Sequence, residues 1–208
     1  MSQPDQPRGR APGFNRRAFL KGSGAAVAAT ALAVSDREAL AQEAEQPKVA
    51  SAGPQSVTLN VNGKDHTVKV EPRVTLLDVL RNDLNLTGAK ETDDRDATGC
   101  DTVIIDGKAV LAGSRLAIQC RGQKIRTVES LRQGDQVDEV ISGFVKHDAM
   151  QCGFCTPGFV MATRAFLDKR PNATLEEVRR GLGGNLCRCG TYQGITACAL
   201  ELAQKGGV

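Results

Sequence analysis

Gln151-Cys152-Gly153-Phe154-Cys155-Thr156-Pro157-Gly158 and Gly184-Asn185-Leu186-Cys187-Arg188-Cys189-Gly190-Thr191-Tyr192 place four of the chain's seven cysteines as a CxxC and a CxC. Thiolates are soft ligands that suit iron–sulfur clusters and zinc. A CxC pair does not easily close a disulfide on itself, whereas two side chains leaving a tight bend can both reach one metal centre. Four cysteines are the usual complement of a [2Fe-2S] cluster. A CxxC with a second pair far downstream is also zinc-ribbon spacing. Spacing alone leaves cluster and zinc side by side, with a structural disulfide pair behind both.

Around these cysteines the apolar period is helical. Val137, Val140, Ile141, Phe144 and Val145 predict an amphipathic helix over Asp135 to Asp148 that leads into Cys152. Thr156 as a cap with Pro157 at the first helical position opens a second helix through Leu167, which Pro171 and Asn172 break. Thr174-Leu175-Glu176-Glu177 is a capping box for a third, with Leu175, Val178 and Leu182 facing inward. Gly181, Gly183 and Gly184 end it, and a fourth helix runs from about Ile195 to Gln204. Four short helices with ligands at two bends make a bundle centred on the metal site. None is long enough to be stable alone, so the bound group is expected to supply much of the folding free energy. Cys198, mid-helix, reads as a small buried apolar residue.

The preceding stretch reads as strands. Val57, Leu59 and Val61 alternate with polar residues, Asn62-Gly63 signals a two-residue hairpin, and His66, Val68 and Val70 resume the alternation. Thr75 to Asp78 caps a short helix with Leu76, Leu77, Leu80 and Leu84 as its stripe. Asp106-Gly107 marks a second hairpin between Thr102 to Ile105 and Lys108 to Val110, and Ile125 to Val128 supplies a last strand.

The two quoted cysteine segments closely resemble the C-terminal cluster motif of the iron–sulfur subunits of molybdenum hydroxylases, the family of xanthine dehydrogenases, aldehyde oxidoreductases and carbon monoxide dehydrogenases. The resemblance implies an α+β chain: an N-terminal β-grasp, ferredoxin-like domain over 56–133, then a four-helix bundle over 134–208 holding one [2Fe-2S] cluster on Cys152, Cys155, Cys187 and Cys189. It implies an electron-transfer subunit of a multi-subunit enzyme that oxidises an aldehyde or an N-heterocycle. The substrate-oxidising site and the molybdopterin cofactor belong to a separate large subunit, with Gln151 and Cys189 facing the pterin. Onward partners in the family are a flavin subunit or a cytochrome. Leu86-Thr87-Gly88 and Val103-Ile104-Ile105-Asp106-Gly107 extend the likeness into the N-terminal half.

There the cysteines depart from the pattern. The four positions that match the family's other, plant-type cluster are Asp93, Thr98, Asp101 and Gly113. Cys100 falls one place short of the third, and Cys120 lies beyond the fourth. A second [2Fe-2S] is therefore not expected. A mixed site of Cys100, Cys120 and the acidic run Asp93, Asp94, Asp96 and Asp101 would set hard carboxylates on a cluster that favours soft ligands. The other readings are a solvated loop, and a Cys100–Cys120 disulfide. Loss of one site also keeps open the alternative of a noncatalytic paralogue acting as scaffold or maturation partner.

Within the cluster motif, Gly153 and Gly190 are candidate N–H donors to sulfur, and Arg188 is either a counter-charge or a solvent-facing arginine. His66 and His147 read as structural.

The chain opens with an address. Asn15-Arg16-Arg17-Ala18-Phe19-Leu20-Lys21 sets a twin arginine before an apolar run from Gly24 to Val34, with small-residue cleavage sites after Ala41 or Ala33. Residues 1–41 are therefore expected to be a twin-arginine signal and 42–55 a flexible lead-in. That route carries proteins already folded and loaded, which suits a thiol-held cluster bound for the periplasm. No stretch is long enough to span a membrane as a mature helix. A net charge of +3 over 208 residues gives no argument for nucleic acid. Only 3% of residues are aromatic and Trp is absent, so the cores must be aliphatic.

Overall fold

The computed structural model describes residues 51–93 and 97–206. The expected signal, most of the lead-in, and Asp94 and Asp96 lie outside them. From Ala50 the chain packs as one compact unit. Among the described residues no helix is long and apolar enough to cross a membrane.

Strands β1 (Gln55–Val61) and β2 (Lys64–Val70) form the first hairpin, with Leu59 opposite His66. Its turn needs two left-handed residues, and Asn62 and Gly63 supply them at φ +52° and +78°. Helix α1 (Leu76–Asp78) carries the expected capping box between Thr75 and Asp78, then widens into a π-turn over Val79–Asp83. Strands β3 (Thr102–Ile105) and β4 (Lys108–Leu111) meet at Asp106-Gly107, again both left-handed. Strand β5 (Lys124–Arg126) completes a sheet in the order β2-β1-β5-β3-β4, in which β1 and β5 run parallel and the other neighbours antiparallel.

Two apolar cores flank β3. Val103 and Ile105 join Val57, Leu59, Leu76, Leu80 and Ile125 beneath the sheet, whereas Ile104 belongs to the core of the helical half with Phe144, Phe159 and Ile195. This follows from strand alternation, and it makes β3 the shared wall of both halves. Cys100 lies in the helical core and Cys120 in the sheet core, and both are free thiols, so neither the disulfide nor a shared mixed site forms between them.

The helices are α2 (Glu139–Lys146), α3 (Thr156–Leu167), α4 (Leu175–Gly181) and α5 (Tyr192–Gln204). Five expectations are corrected. The first helix does not begin at Asp135: Arg132–Gln133 (β6) and Gln136–Val137 (β7) pair as a small hairpin turned by Gly134, and Asp138 caps the helix by accepting from the Val140 N–H at 2.9 Å. Val137 and Val145 are exposed, so the buried stripe is Val140 and Phe144. Thr156 is inside α3, not its cap; Cys155 holds the cap position, and the Thr156 hydroxyl is buried without a partner among the described residues. Leu175 faces solvent while Val178 and Leu182 face inward, and α5 starts a turn earlier than expected. The Thr174–Glu177 capping box stands as expected.

One buried side chain ties the halves together. Asn185 donates to Gly99 O at 2.8 Å and to Thr102 Oγ1 at 3.1 Å, while Leu186 N–H donates to Thr98 O at 2.8 Å. Asn185→Ala is expected to cost about 1–3 kcal/mol. The low end is favoured because Thr102 Oγ1 still donates to Gly99 O. Thermal unfolding of the loaded chain measures this, and an unchanged midpoint would show that the tie contributes nothing.

Candidate metal centre

Two bends bring the thiols together. After α2, Asp148 turns left-handed and the Ala149 N–H returns to Phe144 O at 2.9 Å, sending Gln151 to Cys155 back over the bundle. The first turn of α5 presses on that bend: a Cβ on Gly194 would stand 2.5 Å from His147 O and 3.0 Å from Ala149 Cα. Gly153 and Gly190, each directly after a cysteine, lie at φ +78° and +81°, where other residues are strained. The chain doubles back at both points, and the CxxC faces the CxC.

Cys155 and Cys187 act on one another's titration at the buried end, and Cys152 acts on that of Cys189 at the exposed end. Cys155 and Cys187 are buried; Cys152 and Cys189 are exposed, with Gln151 exposed beside them. A cavity of about 420 Å³ lies against them, lined by Cys152, Cys155, Cys187, Phe154, Leu186 and Arg188 on the helical side. Thr92, Thr98 and Cys100 line it from the other half.

Sulfur is well supplied with donors. The Cys187 thiol lies 3.2 Å from Thr191 Oγ1 and takes the N–H groups of Thr191 and Cys189, and the Cys152 N–H reaches Cys189. These donors are the neighbours of Gly153 and Gly190, whose left-handed turns aim them. Burial alone would push Cys187 up, but the hydrogen bonds from Thr191, Cys155 and Cys189 outweigh it and bring the thiol down to about 7. Its partner Cys155 is pushed up to about 12 by burial and by the hydrogen bond it gives Cys187. The Cys187 N–H donates to the Tyr192 hydroxyl at 2.8 Å, and Phe159 packs edge-on against that ring, fixing the second bend.

This donor set, four thiols brought from two bends, fits a two-iron cluster. A tetrahedral zinc site needs four thiolates converging on one point. Four thiols, two buried and two exposed, are the number and kind of ligand that a [2Fe-2S] cluster would take. Arg188 is exposed and also lines the cavity, so its charge stands beside the thiols while keeping its water.

The N-terminal positions are closed on themselves. Asp101, 1% exposed, accepts from the Gly113 N–H at 2.9 Å, joining what would be the third and fourth ligand places. Thr98 and Thr92 share a hydrogen bond between hydroxyls, and Asp93 accepts from the Ala97 N–H at 3.1 Å. Cys198 is buried in α5 against Gly143, away from the cavity. His147 pairs with Glu201 at 2.6 Å in a surface network with Lys146 and Lys205, which holds the Glu201 carboxyl down at about 2. Sequence reasoning did not single out Asn185, Thr191 or Tyr192 for a role. A hydroxyl residue two places after the CxC was the available signal for Thr191.

Residues 127–200 match the family described as the [2Fe-2S] binding domain, and residues 13–33 match the twin-arginine translocation pathway signal sequence. The nicotine 6-hydroxylase small subunit of Paenarthrobacter nicotinovorans is 44% identical over 145 residues, covering 70% of this chain and 87% of that one. The aldehyde oxidoreductase iron-sulfur-binding subunit PaoA of Escherichia coli K12 is 37% identical over 162 residues, 71% of each chain. Among solved structures, quinoline 2-oxidoreductase from Pseudomonas putida 86 superposes with a TM-score of 0.69 at 37% identity, covering 76% of this chain and 100% of that chain.

Proposed function

The chain belongs to the iron–sulfur small subunits of the molybdenum hydroxylases, and on that footing we propose that Cys152, Cys155, Cys187 and Cys189 hold its single [2Fe-2S] cluster. It is an electron-transfer subunit of a multi-subunit oxidoreductase whose substrate-oxidising site is on another chain. Its twin-arginine signal directs it to the periplasm.

The observation that supports the ligand assignment is the meeting of Cys152, Cys155 and Cys187 on one cavity, with Cys189 beside Cys152 and the Cys187 thiol 3.2 Å from the Thr191 hydroxyl. When bound, a cluster ligated by four cysteines supplies one-electron transfer and offers no open position to substrate. The chain's residues do the rest. Cys155 and Cys187 keep one end out of water, and the Thr191 and Cys189 N–H groups offset thiolate charge. Gln151 stands with Cys152 and Cys189 on the open face, where its amide can meet the pterin of a molybdopterin-binding large subunit. In this reading the described residues of the cluster-binding domain, 134–208, supply the site, and those of the β-grasp domain, 56–133, supply its wall.

The partner's substrate is proposed to be an aldehyde or an N-heterocycle, the classes that the relatives' names span. With the N-terminal positions closed by Asp101 and Gly113, the acceptor, a flavin or cytochrome subunit, takes electrons from the one remaining cluster. That closure is also the observation favouring a noncatalytic scaffold.

Iron and acid-labile sulfide analysis of the mature chain, with low-temperature EPR after dithionite reduction, separates these readings. About two irons per chain and one rhombic S = 1/2 signal are expected. About four irons with two signals would overturn the single-cluster reading, and absence of iron would leave the scaffold.

A further inference from the structure

The cavity has a fifth thiol on its wall. Cys100 lines it with Cys152, Cys155 and Cys187, yet comes from the other half of the chain, just before β3. Only 4% of it is exposed, and it shares the apolar core that contains Cys155 and Cys187. Its thiol is free and uncommitted among the described residues. Its backbone is held rigidly. Gly158, in the first turn of α3, presses so closely that a Cβ there would stand 2.9 Å from Cys100 Cα and 2.2 Å from Gly99 O. Asn185 and Thr102 both donate to Gly99 O, and Lys90 N–H donates to Cys100 O. The turn that begins at Cys155 therefore rests on the Cys100 peptide. The two thiols are near enough that charge on Cys100 raises Cys155.

The N-terminal wall has little else to give: Thr92 and Thr98 bond each other through their hydroxyls and Thr92 also donates to Asp93. On the helical side Phe154 and Leu186 are apolar, and Arg188 and Tyr192, both exposed, are the other donors that line the cavity. The Cys152–Cys189 side is open to water, whereas Cys155 and Cys187 are 9% and 7% exposed. A buried thiol is a neutral, weak donor, and one donor counts for more where no solvent competes.

We propose that the Cys100 S–H donates to sulfur on the buried side of the cluster and raises its reduction potential. Reduction adds one negative charge, and hydrogen bonds to sulfur favour the more negative state. The inference rests on the ligand assignment proposed above, but its test is separate.

The test compares Cys100→Ala and Cys100→Ser with the wild type in the assembled complex, by iron analysis and EPR-monitored redox titration. Both variants are expected to keep about two irons per chain and the rhombic signal. The midpoint potential falls in Cys100→Ala and is at least partly recovered in Cys100→Ser, which retains a donor. An unmoved potential in Cys100→Ala, an equal fall in both variants, or loss of iron from Cys100→Ala alone would each assign Cys100 to packing and overturn the proposal. Absence of iron from the wild type would instead sink the ligand assignment itself.

Discussion

A Cys187→Ser subunit is expected to lose its iron and to leave turnover with the natural acceptor at least 10–100-fold down, since even partners outside the ligand set typically cost that much. Among the four thiols, Cys187 takes hydrogen bonds from Thr191 Oγ1 and from the N–H groups of Thr191 and Cys189, and these bring it down to about 7 despite its burial. It is thus the thiol poised to be a thiolate at neutral pH. Serine removes that readiness, because its hydroxyl does not ionise near pH 7, and it substitutes hard oxygen for soft sulfur. It also leaves Cys155, pushed up to about 12, without its thiol partner. Iron and sulfide content, visible absorption and turnover of the assembled complex report the loss together. Iron content and turnover both within twofold of wild type would refute the assignment of Cys187.

The second large effect is steric. Gly158→Ala is expected to destabilise the chain by about 1–3 kcal/mol or more, the usual cost of forcing volume into a packed site. Glycine to alanine inside a helix ordinarily gains up to about 1 kcal/mol. Here the new Cβ would stand 2.2 Å from Gly99 O, 2.9 Å from Cys100 Cα and 3.1 Å from Cys100 C. All three are backbone atoms with no side chain to swing aside, so the clash outweighs the propensity gain. The relief available is a shift of α3, which begins at Cys155, and the cavity would distort with it. For a chain of this size each kcal/mol lowers the midpoint by about 2–4 °C. Thermal scans followed by far-UV circular dichroism and by visible absorption should fall together. A variant as stable as wild type would show that the two halves are not in contact at Gly158.

What the sequence disclosed were features whose physical cause is local. Asn62-Gly63 and Asp106-Gly107 announced their hairpins because those turns demand left-handed residues, and both positions are left-handed. The Thr75–Asp78 and Thr174–Glu177 capping boxes close over three residues and need nothing distant. The cysteine spacings were legible for the same reason. Long-range effects were not. Val137 fits a helical period, but Gly134 turns a hairpin there and Asp138 captures the cap. Val145 fits it too and remains bare. Thr156-Pro157 has the appearance of a cap, yet Cys155 takes that place as the bend tightens. Asn185 offers no local sign that its amide reaches Gly99, and Cys100 gives none that it will stand beside thiols more than fifty residues away.

The bond between Asp101 and Gly113 sets the cost of building a cluster at that place. In the family's pattern both places are cysteines, so recovery of that site would require several reversions at once. The first of them meets resistance. Replacing Asp101 takes the acceptor away from a part-buried N–H, at a cost of about 1–3 kcal/mol, while a lone thiol at that place holds nothing. Thr98 and Asp93 are likewise bonded, to Thr92 and to the Ala97 N–H. A cluster would therefore return only through several changes made together, since each single step gives up a bond and gains no ligand set.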